Sequence, residues 1–409
     1  MRDPAASRSG ERGRASRAAP GGRAEDPAAR AAHGEGREPP RLLAANALFY
    51  PADAAFAAPA SLGAMTGLTD ALPGLASPSG HAHEMLFGFA LAVIAGNQLG
   101  ALTGARLGAL LALWAIARVA FLWSPFGAVA SLADAAFAAL LAVQIAPRML
   151  GAAKKLRNLA LPAVLVSICA AGIGYHVVAR VAPGERAVLF GAVLLFALLL
   201  LFMGGRIIAP AAAGQFYRQG GSLEARVQPR IEAALIVATA LAAAATLAGA
   251  PALGGAAGVA AGLLAGARLW RWRLWALRGR PDIACLAAGY GWLAVGLALL
   301  GAALATGRRQ TEALHVLAIG ALGTLTLNVM AATWLRKARR DPARARLPVW
   351  GTLLLAAAAP VRAFAGLGVG DPLALLWIAA LLWSAAFALL LALFARVRGE
   401  RRRSGDAPL

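Results

Sequence analysis

The chain has 409 residues, of which 60% are hydrophobic and 14% are charged. Soluble globular proteins are nearer half apolar and a quarter charged, so this composition excludes an ordinary soluble domain and predicts an all-α polytopic membrane protein. The net charge of +21 would suit a nucleic-acid-binding protein. The basic residues, however, lie almost wholly between apolar segments, where membrane topology explains them better. We therefore expect a lipid bilayer with anionic lipids as the partner, and no nucleic acid.

The two ends of the chain are polar. Residues 1–40 are rich in Arg, Ala, Gly and Pro and contain no apolar run, which predicts a disordered basic tail and excludes a signal peptide. Residues 398–409 form a second basic tail, so the predicted transmembrane domain covers 41–397. Cys169 and Cys285 lie in different apolar segments, which argues against a disulfide framework and against a cysteine metal site.

Apolar segments recur along the domain, and most have the roughly 20 residues that a helix needs to cross a bilayer. The first is the weakest, because Pro51, Asp53 and Pro59 interrupt it. Ala and Gly are abundant in all of them, which allows helices to pack closely. We count about twelve transmembrane helices, at 42–66, 82–103, 107–123, 126–146, 159–179, 187–203, 231–249, 252–269, 283–305, 313–334, 348–366 and 373–395.

The basic residues are distributed very unequally over the connecting segments. With the first tail placed inside, 34 of the 40 Lys and Arg residues fall on the inner side and two, Arg118 and Arg362, fall within spans. Only four lie in outer loops: Arg180, Arg186, Arg308 and Arg309. This asymmetry is the positive-inside pattern, and it predicts that both termini are cytoplasmic.

Histidines and glutamates gather on the predicted outer side. His81, His83 and Glu84 open the second span, His176 is near the outer end of the fifth, and Glu312 and His315 open the tenth. Imidazole and carboxylate groups bind metals and haem iron, although an interfacial histidine is also often a simple polar anchor. Side chains two positions apart in sequence point about 200° apart around a helix axis. His81 and His83 can therefore face one ligand only if His81 lies in the preceding turn.

Two further charged features have structural interpretations. Arg118 and Asp134 lie at similar depth on the third and fourth spans, which predicts a buried ion pair that we interpret as structural. Arg362 either snorkels to the interface or faces a cavity. The alternating basic and aromatic residues of 268–278 predict an interfacial belt facing anionic lipid.

Four segments resemble signatures of the NnrS family, bacterial membrane proteins of twelve spans that are linked to the nitric oxide response and contain haem and copper. The most specific is His81-Ala-His-Glu-Met-Leu-Phe-Gly-Phe-Ala-Leu-Ala-Val-Ile-Ala-Gly96. The supporting segments are Met203–Ile208, Gly289–Leu297 and Ala313–Gly323. The resemblance covers about 42–396 and implies a multi-pass protein of the bacterial inner membrane.

The chain departs from the family pattern at four predicted inner ends of spans. These are Asn97–Gly104, Ala209–Gln215, Leu286–Ala288 and Trp334–Arg340, and the last two lack a histidine that the family has there. We infer that relatives have an inner and an outer polar site, and that this chain is a divergent member that keeps the outer one.

The resemblance implies haem as a cofactor, copper as a second one, and a role in the response to or tolerance of nitric oxide. His81, His83, His176 and His315 are the predicted cofactor ligands, and His81, His83 and His315 the predicted metal ligands. Glu84 and Glu312 would orient the rings. These motifs identify no catalytic residue and do not show whether the protein catalyses a reaction. The alternative is a proton-coupled secondary transporter that uses the same histidines and glutamates as a relay.

Overall fold

The computed structural model describes residues 42–67, 72–152, 159–181, 184–277 and 279–404. The predicted tail at 1–40 lies outside these ranges, as do residues 405–409. The described residues belong to one compact unit.

In the described part of the first half of the chain, the regular structure is helical apart from one small strand pair. Strands β1 (Leu42–Ala44) and β2 (Ala101–Thr103) pair antiparallel, with Leu43 opposite Leu102. The helices are α1 (Asn46–Gly67), α2 (Pro73–Ala76), α3 (Pro78–His83), a π-helical segment π1 (Glu84–Ala90), α4 (Leu91–Gln98), α5 (Gly104–Trp123), α6 (Ala128–Ala152), α7 (Ala160–Val181) and α8 (Glu185–Arg218).

The second half has the same character. Its helices are α9 (Pro229–Leu247), α10 (Pro251–Arg271), α11 (Pro281–Thr306), α12 (Gln310–His315), a second π-helical segment π2 (Val316–Gly323), α13 (Thr324–Lys337), α14 (Leu347–Leu367) and α15 (Pro372–Arg403). Short 3₁₀ turns occur at Glu224–Arg226, Leu274–Ala276 and Pro342–Arg344. Proline stands in the first turn of several of these helices, where its missing N–H leaves no helical bond unmade.

Within the described residues, ten helical stretches are long and apolar enough to cross a membrane. The prediction of an all-α polytopic membrane protein is therefore confirmed. The two other predicted spans are also helical: 42–66 corresponds to α1, and 82–103 to the continuous stretch α3–π1–α4. The latter helix ends at Gln98 rather than at residue 103, because 101–103 pairs with β1.

Two predicted boundaries differ at the basic segments. Helix α15 continues to Arg403, so the domain limit at residue 397 falls inside a helix. Arg268, which we assigned to an exposed belt, is buried in the last turn of α10, while Trp270 and Trp275 of the same segment are exposed. Arg268 is therefore not part of an exposed belt, and for the two exposed tryptophans the belt stays a prediction.

Glycine brings α10 and α11 into close contact. A Cβ atom added to Gly262 would lie 2.6 Å from the carbonyl oxygen of Ala294, and one added to Gly258 would lie 2.9 Å from the Cα atom of Gly301. In a bilayer, helices associate through such van der Waals packing rather than through the hydrophobic effect. The abundance of small residues thus has its expected structural use.

Candidate cofactor cavity and buried histidine cluster

The helix that begins at Pro78 supplies the first two histidines. Pro78 follows Ser77, whose hydroxyl accepts a hydrogen bond from the backbone N–H of Gly80 at 3.0 Å and caps the helix. His81 and His83 are both inside α3, so the alternative that placed His81 in the preceding turn is wrong. Because side chains two positions apart in sequence point about 200° apart around a helix axis, the two rings lie on opposite sides of the helix.

His81 lines an apolar cavity of about 440 Å³. His315, the last residue of α12, lines the same cavity, and so does Arg362 from the middle of α14. The remaining walls are mostly apolar and include the side chains of Met65, Leu75, Met85, Leu86, Phe89, Leu314, Ile319, Leu322 and Trp383. A mainly apolar cavity of this size with a few polar groups is typical of a cofactor site.

The two cavity histidines differ in their hydrogen bonding. Nδ1 of His315 lies 2.7 Å from the carbonyl oxygen of Thr311. Because a carbonyl only accepts, the ring donates from Nδ1, which leaves Nε2 as its basic nitrogen. Nδ1 of His81 is buried and has no hydrogen-bond partner among the described residues. A buried polar atom without a partner is costly and indicates a group that a ligand would satisfy.

His83 lies in a separate cluster on the other side of the same helix. The cluster comprises His83, Glu84, Arg118 of α5, Asp134 of α6 and His176 of α7. Each of these side chains is at most 6% exposed. In such a setting electrostatic interactions are strong, and an uncompensated charge is expensive.

Arg118 is the cation of this buried cluster. Its guanidinium forms ion pairs with the carboxylates of both Glu84 and Asp134. Arg118 can approach because residue 88 is glycine, since an added Cβ atom there would lie 2.7 Å from one terminal guanidinium nitrogen. The predicted Arg118–Asp134 pair is thus part of a larger network that includes two histidines.

The two cluster histidines contact the carboxylates and each other. Nδ1 of His83 lies 3.1 Å from Oε1 of Glu84, and Nε2 of His176 lies 3.2 Å from Oδ2 of Asp134. Nε2 of His83 faces the same Oδ2 atom at 3.7 Å without a hydrogen bond. The imidazole rings of His83 and His176 are 4.9 Å apart, and Phe121 stacks on His83 at 4.1 Å.

The helices α3 and α12 both change to π-helical geometry directly after their last histidine. The segment π1 follows His83, and π2 follows His315. A π-helical segment inserts an extra residue into the helical ladder, is uncommon, and is frequently found at functional sites. Here π1 changes the helix directly after His83 of the buried cluster, and π2 does so directly after His315 of the cavity.

The predicted site residues therefore fall into two groups instead of one. His81 and His315 line the cavity, whereas His83 and His176 belong to the buried cluster with Glu84. The structure does not bring the three predicted metal ligands His81, His83 and His315 together, because the helical rotation separates the first two. Glu312 is absent from the lining of the cavity; it packs against α14, where a Cβ atom on Gly366 would lie 2.5 Å from its Cγ atom.

Sequence reasoning did not assign Asp134 and Arg118 to a histidine site, nor Arg362 to the cavity ligands. A signal existed for Asp134: it lies on the neighbouring antiparallel span to His176, and both are within a few turns of the same end of the bundle. Depth alone, however, does not show which face of each helix a residue occupies. For Arg362 the sequence showed only that an arginine within a span faces either a cavity or the interface, and it did not distinguish the two.

The family model for the NnrS protein matches residues 44–402, nearly all of the described part of the chain. Searches of curated proteins and of solved structures gave no significant match. The matched region includes α3, both π-helical segments, the cavity and the buried cluster. On the strength of this match, the chain belongs to the NnrS family.

Proposed function

We propose that this is an NnrS-like inner-membrane protein that binds haem, and also copper, at its periplasmic side, and that it acts in the response to or tolerance of nitric oxide. The observation that carries the proposal is the apolar cavity of about 440 Å³ into which two helices each contribute a histidine. Family membership supports the same conclusion.

The residues of the cavity fit a haem group. His315 donates from Nδ1 to a backbone carbonyl, which is the usual arrangement of a metal-ligating histidine and leaves Nε2 to bind iron. His81 is the second candidate ligand, since its Nδ1 atom is buried and unpartnered among the described residues. Arg362 is the cation that would pair with a propionate, and the aliphatic, methionine and aromatic walls suit the porphyrin.

Bound haem would supply an iron atom that can take a small diatomic ligand such as nitric oxide. The protein residues around the iron decide which ligand has access and how it is stabilised. In this cavity Phe89 and Trp383 are buried aromatic side chains of the wall, and His81 and His315 would hold the metal.

The periplasmic location rests on the charge asymmetry of the chain. Its Lys and Arg residues concentrate on the side that we assign to the cytoplasm, and the histidine-bearing ends of α3 and α12 fall on the opposite side.

An absorbance spectrum of the purified protein tests the proposal. The wild type is expected to show a Soret band, and the pair His81→Ala and His315→Ala is expected to abolish it. The pair His83→Asn and His176→Asn serves as the matched control and should retain the band, because these residues do not line the cavity. A colourless, metal-free wild type would sink the proposal and favour the proton-coupled transporter instead.

A further inference from the structure

We propose that Asp53 of α1 is a proton-binding site inside the transmembrane bundle. It holds a neutral carboxyl group at neutral pH and exchanges its proton with the cytoplasmic side of the molecule. Asp53 belongs neither to the lining of the candidate cavity nor to the buried histidine cluster. The inference is independent of the proposed function, because it involves no haem and no metal.

The carboxyl group of Asp53 is completely buried. The residue is 0% exposed, and neither Oδ1 nor Oδ2 has a hydrogen-bond partner among the described residues. Phe49 and Ala57 lie one turn before and one turn after it on the same face of α1, and both are also 0% exposed. An ionised carboxylate without water or a partner is very costly, whereas a protonated one is much less so. The surroundings of Asp53 therefore favour the protonated form.

The elements around α1 bring no compensating charge to Asp53 in the part of the chain that the structure describes. Helix α1 packs mainly against β1, α2, π1, α4 and α15. Of these, β1, α2 and α4 contain no charged residue and no histidine. The charged residue of π1 is Glu84, which is paired with Arg118 in the buried cluster. The charged residues of α15 begin only at Arg396, near its inner end.

Two cations bind α1 at its inner end, well away from Asp53. Arg398 donates to the carbonyl oxygen of Ala47 at 3.0 Å, and Nζ of Lys337 donates to Oδ1 of Asn46 at 2.6 Å. Ala47 and Asp53 are six residues apart, which corresponds to about 9 Å along a helix. Both cations therefore bind oxygen atoms of the first turn of α1 and leave the carboxyl group without a counter-charge.

A single carboxyl group in these surroundings suits a proton and not a metal ion. Calcium and magnesium take about six or more oxygen ligands, which one aspartate cannot supply. Phe49 and Ala57 contribute no side-chain donor or acceptor, and the carbonyl oxygen of Ala57 already accepts the indole N–H of Trp383 at 2.9 Å. A proton needs only the carboxylate itself. Ionisable residues inside a bundle are usually functional, and proton relays are one of their common uses.

Polar side chains of α1 lie closer to Asp53 on the inner side than on the cavity side. Tyr50 is one turn away toward the inner end, and its hydroxyl donates to Oδ1 of Asn97 at 2.6 Å. Asn46 lies a further turn inward, and its lysine partner is exposed. Toward the cavity, the next polar side chain of α1 is that of Ser61, more than two turns away. The proton of Asp53 is therefore expected to exchange through the inner end of α1.

Infrared spectroscopy of the purified full-length protein tests the protonation state. At neutral pH the wild type should show the C=O stretching band of a protonated carboxylic acid, and Asp53→Asn should remove that band. Asp282→Asn is the matched control and should leave the band unchanged, because Asp282 is paired with Arg280 and keeps its charge. If Asp53→Asn does not fold, as judged by helicity and size-exclusion profile, Asp53→Glu replaces it and should shift the band.

The rate at which the same band shifts after transfer to D₂O tests the route. Tyr50→Phe removes the nearest hydroxyl on the inner side and should slow hydrogen–deuterium exchange of the Asp53 carboxyl at least tenfold. Ser61→Ala removes the hydroxyl on the cavity side and should leave the exchange rate unchanged.

A wild type without an Asp53-dependent band overturns the proposal. It is also overturned if Tyr50→Phe leaves the exchange rate unchanged, or if Ser61→Ala lowers it as much as Tyr50→Phe does. None of these results depends on whether the protein contains haem, so the outcome for Asp53 and the outcome for the proposed function are read separately.

Discussion

At the scale of single residues, two buried arginines each form the centre of a polar network. Arg118 joins the histidine cluster, and Arg268 of α10 forms a second network with residues of α8, α9 and α11. The Arg268 guanidinium donates to the carbonyl oxygen of Leu201 at 2.9 Å and to the hydroxyl of Tyr290 at 3.3 Å, and it pairs with Glu232 at 2.5 Å. Buried charges in a membrane protein are paired, and both arginines follow this rule.

Replacing Arg268 with Met should destabilise the protein by about 2 kcal/mol, because it leaves the carbonyl of Leu201 and the carboxylate of Glu232 without their donor. The effect is moderate because Glu232 is 38% exposed and water can solvate it. Arg271→Met is the matched control one turn on, where the side chain is exposed, and it should change stability by less than about 0.5 kcal/mol. Thermal unfolding in detergent measures both, and equal losses would contradict a special role for Arg268.

At the scale of elements, the supporting family segments have a packing explanation. A Cβ atom on Gly296 of α11 would lie 2.9 Å from the Cα atom of Leu317, and one on Gly320 of π2 would lie 2.8 Å from the ring of Trp292. Segments 289–297 and 313–323 therefore pack against each other through glycine. Segment 81–96 carries two of the candidate histidines, His81 and His83, as well as the close contact at Gly88.

The contact between α10 and α11 gives a sharp test of this packing. Gly262→Ala should cost about 1–3 kcal/mol, because the new methyl group would lie 2.6 Å from the carbonyl oxygen of Ala294 and must push the helices apart. Gly266→Ala, one turn along the same helix, should be neutral or stabilise by up to about 1 kcal/mol, because its nearest neighbour is at 4.0 Å and alanine favours helix. Thermal stability in detergent distinguishes the two, and a tolerated Gly262→Ala would show that the interface can relax.

At the scale of the whole molecule, the cavity and the buried cluster lie on opposite sides of one helix, α3. Five helices or helical segments supply the cluster, namely α3, π1, α5, α6 and α7, whereas the cavity draws on α1, α2, α3, π1, α8, α12, π2, α14 and α15. The two sites share no side chain, so a ligand in one can be removed by substitution without removing residues of the other. This independence is what makes the paired histidine variants informative.

The charge pattern predicts the orientation of the molecule, and cysteine labelling can test this prediction. Cys169 and Cys285 are buried and can be replaced to give a cysteine-free background. In intact cells, Arg308→Cys is expected to react with a membrane-impermeant maleimide. Arg336→Cys should react only after permeabilisation, because Arg336 lies in the last turn of α13, where a strongly basic stretch of the chain begins. Both arginines are exposed, so the reverse labelling pattern would invert the topology and place the cavity on the cytoplasmic side.

The sequence by itself determined the class of the protein and its series of long helices, and it singled out His81, His83, His176 and His315 as site candidates. Hydrophobic length and the loop charges are one-dimensional properties, and a bilayer converts them directly into helices and sides. The segment 81–96 also identified the family. Only the tertiary structure decided which histidines act together, because that depends on how each helix is rotated and on which neighbours it packs against. The rotation of α3 separates His81 from His83, and the packing of α5, α6 and α7 brings Arg118, Asp134 and His176 to His83.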